Sequence, residues 1–198
     1  MKCAIFEENG NRHDMQRVLG HVTLQNAVRR MGDFVLTSCA ANALQPYRQN
    51  DNGWDQGQVF FTPSQVWGMP PYYAQQMAAA HHRPLTVGCG VEGADGVLDV
   101  TATRSREAGS VVLHIANTGA EPLRVGLRVD GMGKVSQARM VSLSGDLDAV
   151  NTPEEPRRIA PVGRELPAWA AQTVDIAPYS YTIVVLDEYC LLYTSPSP

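Results

Sequence analysis

Apolar residues change their spacing several times along the chain, and each change marks a different kind of element. Cys3-Ala4-Ile5-Phe6 is a continuous apolar run that stops at two carboxylates, Glu7 and Glu8, followed by Asn9-Gly10. A run of that length bounded by turn residues predicts a buried strand meeting a loop. The spacing then becomes helical, with apolar residues at Met15, Val18, Leu19 and Val22 and again at Leu24, Ala27, Val28 and Met31. With Asp14 as N-cap and Gly32 as stop, a helix is expected over residues 14–31. A second apolar run over residues 34–41 restores strand length, so residues 2–41 read as strand, helix, strand. Such a unit makes a right-handed parallel crossover, and its strands need cover on both faces.

Residues 42–61 form a long polar and aromatic stretch containing Tyr47, Asn50, Asp51, Asn52, Gly53, Trp54, Asp55 and Gln56. Loops of that length with aromatic content are usually functional. Pro70-Pro71 opens a further helix expected over residues 71–81. Beyond Pro84 the grammar becomes that of short strands, at 97–103, 111–117, 123–129, 172–176 and 181–186, separated by Gly, Asn, Asp and Pro. Strands at spacings near ten residues predict an antiparallel sandwich, and Asn117-Thr118-Gly119 and Val129-Asp130-Gly131 carry turn chemistry. Residues 147–161, rich in Pro, Glu and Arg, are expected to cross over the surface. The last ten residues follow a strand that is complete at Leu186 and are excluded from the fold.

Composition narrows the partners. Sixteen Lys and Arg against twenty Asp and Glu leave a net charge of −4, with the basic residues scattered. No basic stripe exists for nucleic acid or an anionic membrane surface, and no apolar stretch approaches the ~18 residues of a membrane helix. Cys3, Cys39, Cys89 and Cys190 are far apart and form no metal-binding spacing, so they read as buried free thiols. His13, His21, His81, His82 and His114 read as surface or helix-end residues, and no metal or other cofactor is expected.

The chemistry concentrates at strand ends. In a (β/α)₈ barrel the catalytic side chains sit where strands give way to βα loops, the position Glu7 occupies. Pattern alone does not separate Glu7 from Glu8. The row Trp67, Tyr72 and Tyr73 reads as packing between the two parts of the chain.

A combination of motifs is more specific than any of these features. The run Lys2-Cys3-Ala4-Ile5-Phe6-Glu7, the helix end Arg29-Arg30-Met31-Gly32-Asp33, and the segment Asn42-Ala43-Leu44-Gln45-Pro46 belong to it. So do Gly53-Trp54, Val66-Trp67-Gly68-Met69-Pro70-Pro71-Tyr72-Tyr73, Asn151-Thr152-Pro153-Glu154-Glu155-Pro156 and Ala177-Pro178-Tyr179-Ser180-Tyr181. Together they resemble the last third of the α-L-arabinofuranosidases of glycoside hydrolase family 51, over residues 2–187. The resemblance implies an α/β fragment, the last two βα units of a TIM barrel, over residues 1–82. An all-β antiparallel, jelly-roll-like sandwich would follow over residues 83–188, with residues 189–198 a tail.

It further implies a retaining hydrolase acting on arabinose-containing oligo- or polysaccharides, with Glu7 as nucleophile at the end of the seventh barrel strand. The chain departs from the family pattern at Glu8-Asn9, where an aromatic and a small residue are frequent; consecutive strand residues point to opposite sides, which turns Glu8 away. Trp54 is a candidate to stack on a sugar ring or to anchor the loop. Gln56 is a candidate to hydrogen-bond a substrate hydroxyl, although an exposed loop amide there is expected to be solvated. The acid/base glutamate has no matching segment here, and a full barrel takes about 250 residues, so the chain alone is expected to be inactive. It is also expected to present an open parallel edge and an apolar barrel face prone to aggregation. Homo-oligomerisation of the full-length parent stays open. Two other readings compete: a non-catalytic carbohydrate-binding or structural sandwich, and another barrel hydrolase of the same clan with a different sugar preference.

Overall fold

The computed structural model describes residues 1–10, 12–49, 55–107, 109–133, 135–167 and 173–188. Strand β1 (Cys3–Glu8) leads to helix α1 (Met15–Arg30), a single 3₁₀ turn at Gly32–Phe34, and strand β2 (Val35–Ala40), which pairs with β1 in parallel as expected. Helix α1 starts where Asp14 caps it, its Oδ1 accepting from the Arg17 N–H at 3.1 Å. It stops at Gly32, whose φ of +60° favours a residue without Cβ. Arg29 and Arg30 lie in its last turn, where cations are favoured by the helix dipole.

The segment expected to be one long loop carries three short strands, β3 (Leu44–Pro46), β4 (Val59–Phe61) and β5 (Val66–Gly68), joined in one small sheet. Three-residue strands leave too little periodicity to read from sequence. Helix α2 (Pro70–Ala80) follows, with proline in its first turn as predicted.

The β-rich remainder is the antiparallel sandwich. Its strands are β6 (Leu85–Val87), β7 (Leu98–Arg104), β8 (Ser110–Asn117), β9 (Leu123–Gly126), β10 (Val135–Ser144), β11 (Val162–Leu166), β12 (Thr173–Ile176) and β13 (Ser180–Glu188). Six of them form one sheet in the order β11-β10-β13-β8-β7-β6, and β9 pairs with β12 in a second layer. The ten-residue β10, flanked by β11 and β13, was not foreseen, because its alternation is blurred by Ser136, Gln137, Arg139 and Ser142. Strand β13 runs two residues past Leu186, pairing Asp187 with Ser110 of β8.

The six-stranded sheet is covered on both faces, and the period-2 rule sorts its residues between two cores. Leu113 and Ile115 of β8 and Val184 and Leu186 of β13 face Val174 and Ile176 of β12. Val112, Ala116, Tyr181, Ile183 and Val185 face the helices, where Met15, Val18 and Val22 of α1 meet Tyr73, Ala74 and Met77 of α2. Both helices therefore pack directly on the sandwich. Burying an aliphatic side chain of this kind is worth about 1.5–3 kcal/mol.

Several expectations change at this interface. Leu24 and Met31 are exposed, because α1 turns a different stripe toward the sheet. Asn26 takes the central place instead, donating from Nδ2 to the Asp99 carbonyl at 3.1 Å and accepting at Oδ1 from the Thr101 hydroxyl at 2.8 Å. His114, read as a surface residue, is fully buried on β8, its Nδ1 2.7 Å from the Tyr181 hydroxyl. Residues 147–161 are not a plain surface crossover: Ala149, Asn151 and Ile159 are buried, two of them in the helix-facing core. Asn151 explains why, since its amide donates to the carbonyls of Gly68 and Ile159 and accepts from the Ile159 N–H at 2.7 Å.

Tyr72 and Tyr73 pack between helices and sheet as expected, whereas Trp67 joins Phe60 and Met69 in a separate cluster flanked by Tyr47 and Val150. Of the cysteines, Cys3 is half-buried, but Cys39 and Cys89 are exposed rather than buried. Cys190 and the tail 189–198 lie outside the described residues. The β1-β2 pair presents the expected apolar face, with Phe6 and Leu36 exposed.

Candidate functional site

The C-terminal end of β1, the first two turns of α1 and the returning segment 55–57 meet in one buried polar cluster. Glu7 and Glu8, which the sequence pattern could not separate, part company here. Glu7 is exposed, while Glu8 is only 4% exposed and its Oε2 lies 2.9 Å from Nδ1 of His21. His21 was read as a surface or helix-end residue; it is buried because it sits on the face of α1 turned toward the end of β1.

Arg17, one turn earlier, donates from Nε to Nε2 of His21 at 2.7 Å. Its remaining donors reach the carbonyls of Arg12, Gln56 and Ala41. Burial lowers the guanidinium from its ordinary value, while Asp14 and Glu8 oppose that shift. Five donors in a planar fork let one arginine serve an imidazole nitrogen and three carbonyls at once, one partner more than the three donors of a lysine. Gly10 is required beside it, because a Cβ there would come within 2.7 Å of Arg17 Cδ.

Gln56 is a correction to the expected solvated amide: it is 3% exposed. Its Oε1 accepts from the Gly10 N–H at 3.2 Å and its Nε2 lies 3.5 Å from Asn9 Oδ1, so both ends of the side chain face the loop after β1. Its neighbour Gly57 is packed so closely that a Cβ would meet Gln45 Cβ at 2.4 Å. Gln45 in turn accepts from the Gly57 N–H at 2.7 Å and donates to Asp55 Oδ1 at 3.0 Å. His13 closes the rim, with Nδ1 3.2 Å from Asp55 Oδ1 and its ring tilted on Phe60 at 4.8 Å. Trp54 lies outside the described residues.

Glu7 and Gln56 thus belong to the same corner of the molecule, Glu7 facing outward and Gln56 holding the loop from inside. Sequence reasoning missed Arg17 and His21. The available signal was their i, i+4 spacing on the same turns of α1 as Met15, Val18 and Val22, a polar pair where an apolar stripe was being counted.

Three solved structures share this architecture. The arabinose-bound MgGH51 α-L-arabinofuranosidase superposes with a TM-score of 0.80 at 21% identity, covering 90% of this chain and 28% of that one. The thermostable GH51 α-L-arabinofuranosidase of Thermotoga petrophila RKU-1 gives 0.79 at 18%, covering 93% and 43%. The α-L-arabinofuranosidase of Thermotoga maritima, in complex with arabinose, gives 0.73 at 19%, covering 92% and 40%. The chain thus spans less than half the length of these proteins. No curated protein matches it. A family model described as the α-L-arabinofuranosidase C-terminal domain matches residues 7–180, from the paired glutamates to the start of the last strand. On that match, the chain belongs to the α-L-arabinofuranosidase C-terminal domain family.

Proposed function

We propose that this chain is the C-terminal part of a retaining glycoside hydrolase that releases terminal α-L-arabinofuranosyl residues from arabinan or arabinoxylan, with Glu7 as its nucleophile. The observation that carries the proposal is the divergent environment of the paired glutamates. Glu8 is committed to His21 inside the molecule, and Glu7 is exposed at the C-terminal end of a parallel strand. That is where a barrel hydrolase offers its catalytic side chains.

In double displacement, the Glu7 carboxylate attacks the anomeric carbon while a second carboxyl group protonates the departing glycosidic oxygen. A glycosyl-enzyme ester forms, and water then hydrolyses it with the second group acting as base. The second carboxyl must stand about 5–5.5 Å from the first, and Glu8 cannot serve because it is turned into the protein. In this reading the acid/base is supplied by a segment preceding this chain, and residues 1–82 form the closing part of a (β/α)₈ barrel. Trp54 is assigned a stacking contact with the sugar, and Gln56, from inside the molecule, fixes the loop after β1.

The test is hydrolysis of an aryl α-L-arabinofuranoside. The chain alone should be inactive, and the chain joined to its upstream coding segment should be active. Glu7→Ala should lower kcat by at least ~10⁴-fold, with azide restoring turnover as a glycosyl azide; full activity in that variant would end the assignment. A purely carbohydrate-binding sandwich is less well supported. The cleft between the two sheets, about 1110 Å³, is lined among the described residues by Leu98, Val100, Ile115, Val125 and other non-aromatic residues, which offer no ring for a sugar to stack on.

A further inference from the structure

We propose that Arg17 and His21 are positioning residues that select which of the two adjacent glutamates is offered to substrate. The proposal rests on Glu7 as nucleophile and concerns what holds it there.

The direction of the hydrogen bonds follows from chemistry. Arg17 Nε carries a hydrogen and has no lone pair to give, so His21 Nε2, 2.7 Å away, must accept. An imidazole with a bare Nε2 is neutral and bears its single proton on Nδ1. That proton points at Glu8 Oε2, 2.9 Å away. The result is a one-way relay from guanidinium through imidazole to carboxylate, and Arg17, His21 and Glu8 are all buried. An imidazolium does not fit, because its Nε2–H would oppose the arginine's own Nε–H.

The relay is anchored at its far end. Arg17 donates to the carbonyl of Ala41, just past the end of β2, and to those of Gln56 and Arg12. Glu8 is thereby tied, through two side chains, to the backbone of both strand exits and of the returning loop. The pairing of β1 with β2 is irregular between Ile5 and Glu8, so simple alternation does not set their directions; Glu8 is held against α1 by His21 while Glu7 stays on the exposed side. Without the relay, two neighbouring carboxylates would compete for one strand end. The nucleophile would then lose its aim. Misplacing a reacting group by about 1 Å costs on the order of 10²-fold in rate.

The two ring nitrogens can be replaced one at a time. His21→Asn puts an amide N–H near the place of Nδ1 and keeps the bond to Glu8, whereas His21→Gln puts its amide near the place of Nε2 and keeps only the bond to Arg17. In the chain joined to its upstream segment, His21→Ala and His21→Gln should each lower kcat by about 10²-fold with KM unchanged. His21→Asn should recover most of the loss. In the chain itself, ¹⁵N NMR of the imidazole should find Nδ1 protonated and Nε2 bare. An Nε2–H tautomer, an imidazolium, or a His21→Asn as slow as His21→Ala overturns the relay while leaving an inactive Glu7→Ala to support the nucleophile. A fully active Glu7→Ala overturns both.

Discussion

Acid should weaken this fold through His114. Its ring is fully buried on β8, stacked on Tyr181 at a centroid distance of 6.2 Å and an interplanar angle of 17°. Burial lowers its pKa from 6.5 to about 2, and the positive charges of Arg29, His81 and His82 act in the same direction. The folded state thus keeps the ring neutral, while in the unfolded chain it protonates near its ordinary value. Between those two values the unfolded chain binds one more proton, so this contribution to stability is whole above pH ~6.5 and is lost as pH falls toward 2. The slope is about 1.4 kcal/mol per pH unit, which makes a loss of ~3 kcal/mol by about pH 4.5, a large share of a typical 5–15 kcal/mol. Urea unfolding of the wild type and of His114→Phe over about pH 8 to 4 measures it. The variant should lose about 1–3 kcal/mol at neutral pH, because the Tyr181 hydroxyl loses its partner, but its acid limb should be flatter by one proton. Parallel curves for the two proteins would refute the reasoning. Tyr181 makes the mirror-image case: burial raises it from 10 to about 12, so its contribution is intact below pH ~10 and fades as pH climbs to about 12.

Other outcomes follow from single contacts. Asn151→Ala removes three hydrogen bonds and leaves buried Gly68 and Ile159 backbone groups unpaired, so a loss of about 3–5 kcal/mol is expected by urea denaturation. Asp14→Ala should cost ~1 kcal/mol as a lost N-cap, and Asp14→Ser should restore most of it; a calorimetric Tm series checks both. Gly57→Ala should cost about 1–3 kcal/mol, because Gln45 Cβ has nowhere to retreat at 2.4 Å, and a Tm equal to wild type would show that the loop can move.

The legible parts of the fold were those with strong local periodicity. Helix α1, with its cap at Asp14, its stop at Gly32 and its apolar residues Met15, Val18 and Val22, follows directly from spacing. So does the parallel pairing of β1 with β2. The central strand β13 was visible as an apolar run because it is covered on both faces. What escaped was set by tertiary partners. Strand β10 alternates too weakly to declare itself, and β3, β4 and β5 are too short. Asn26 and His114 are polar residues whose burial depends on groups more than seventy residues away in one case and on Tyr181 in the other. At the site, the residue types of Glu7 and Glu8 were readable but their orientations were not. Only His21, thirteen residues further on, distinguishes them.

The shared face between the helices and the six-stranded sheet has a consequence for how such chains are recombined. A splice at residue 83 that exchanged the sandwich for another would leave Met15, Val18, Tyr73 and Met77 against a foreign surface, and would strip the carbonyl of Asp99 and the hydroxyl of Thr101 from Asn26. The transferable module is therefore the sandwich together with α1 and α2. Because α1 also carries Arg17 and His21, a graft of that module moves the support of the strand-end glutamates along with it.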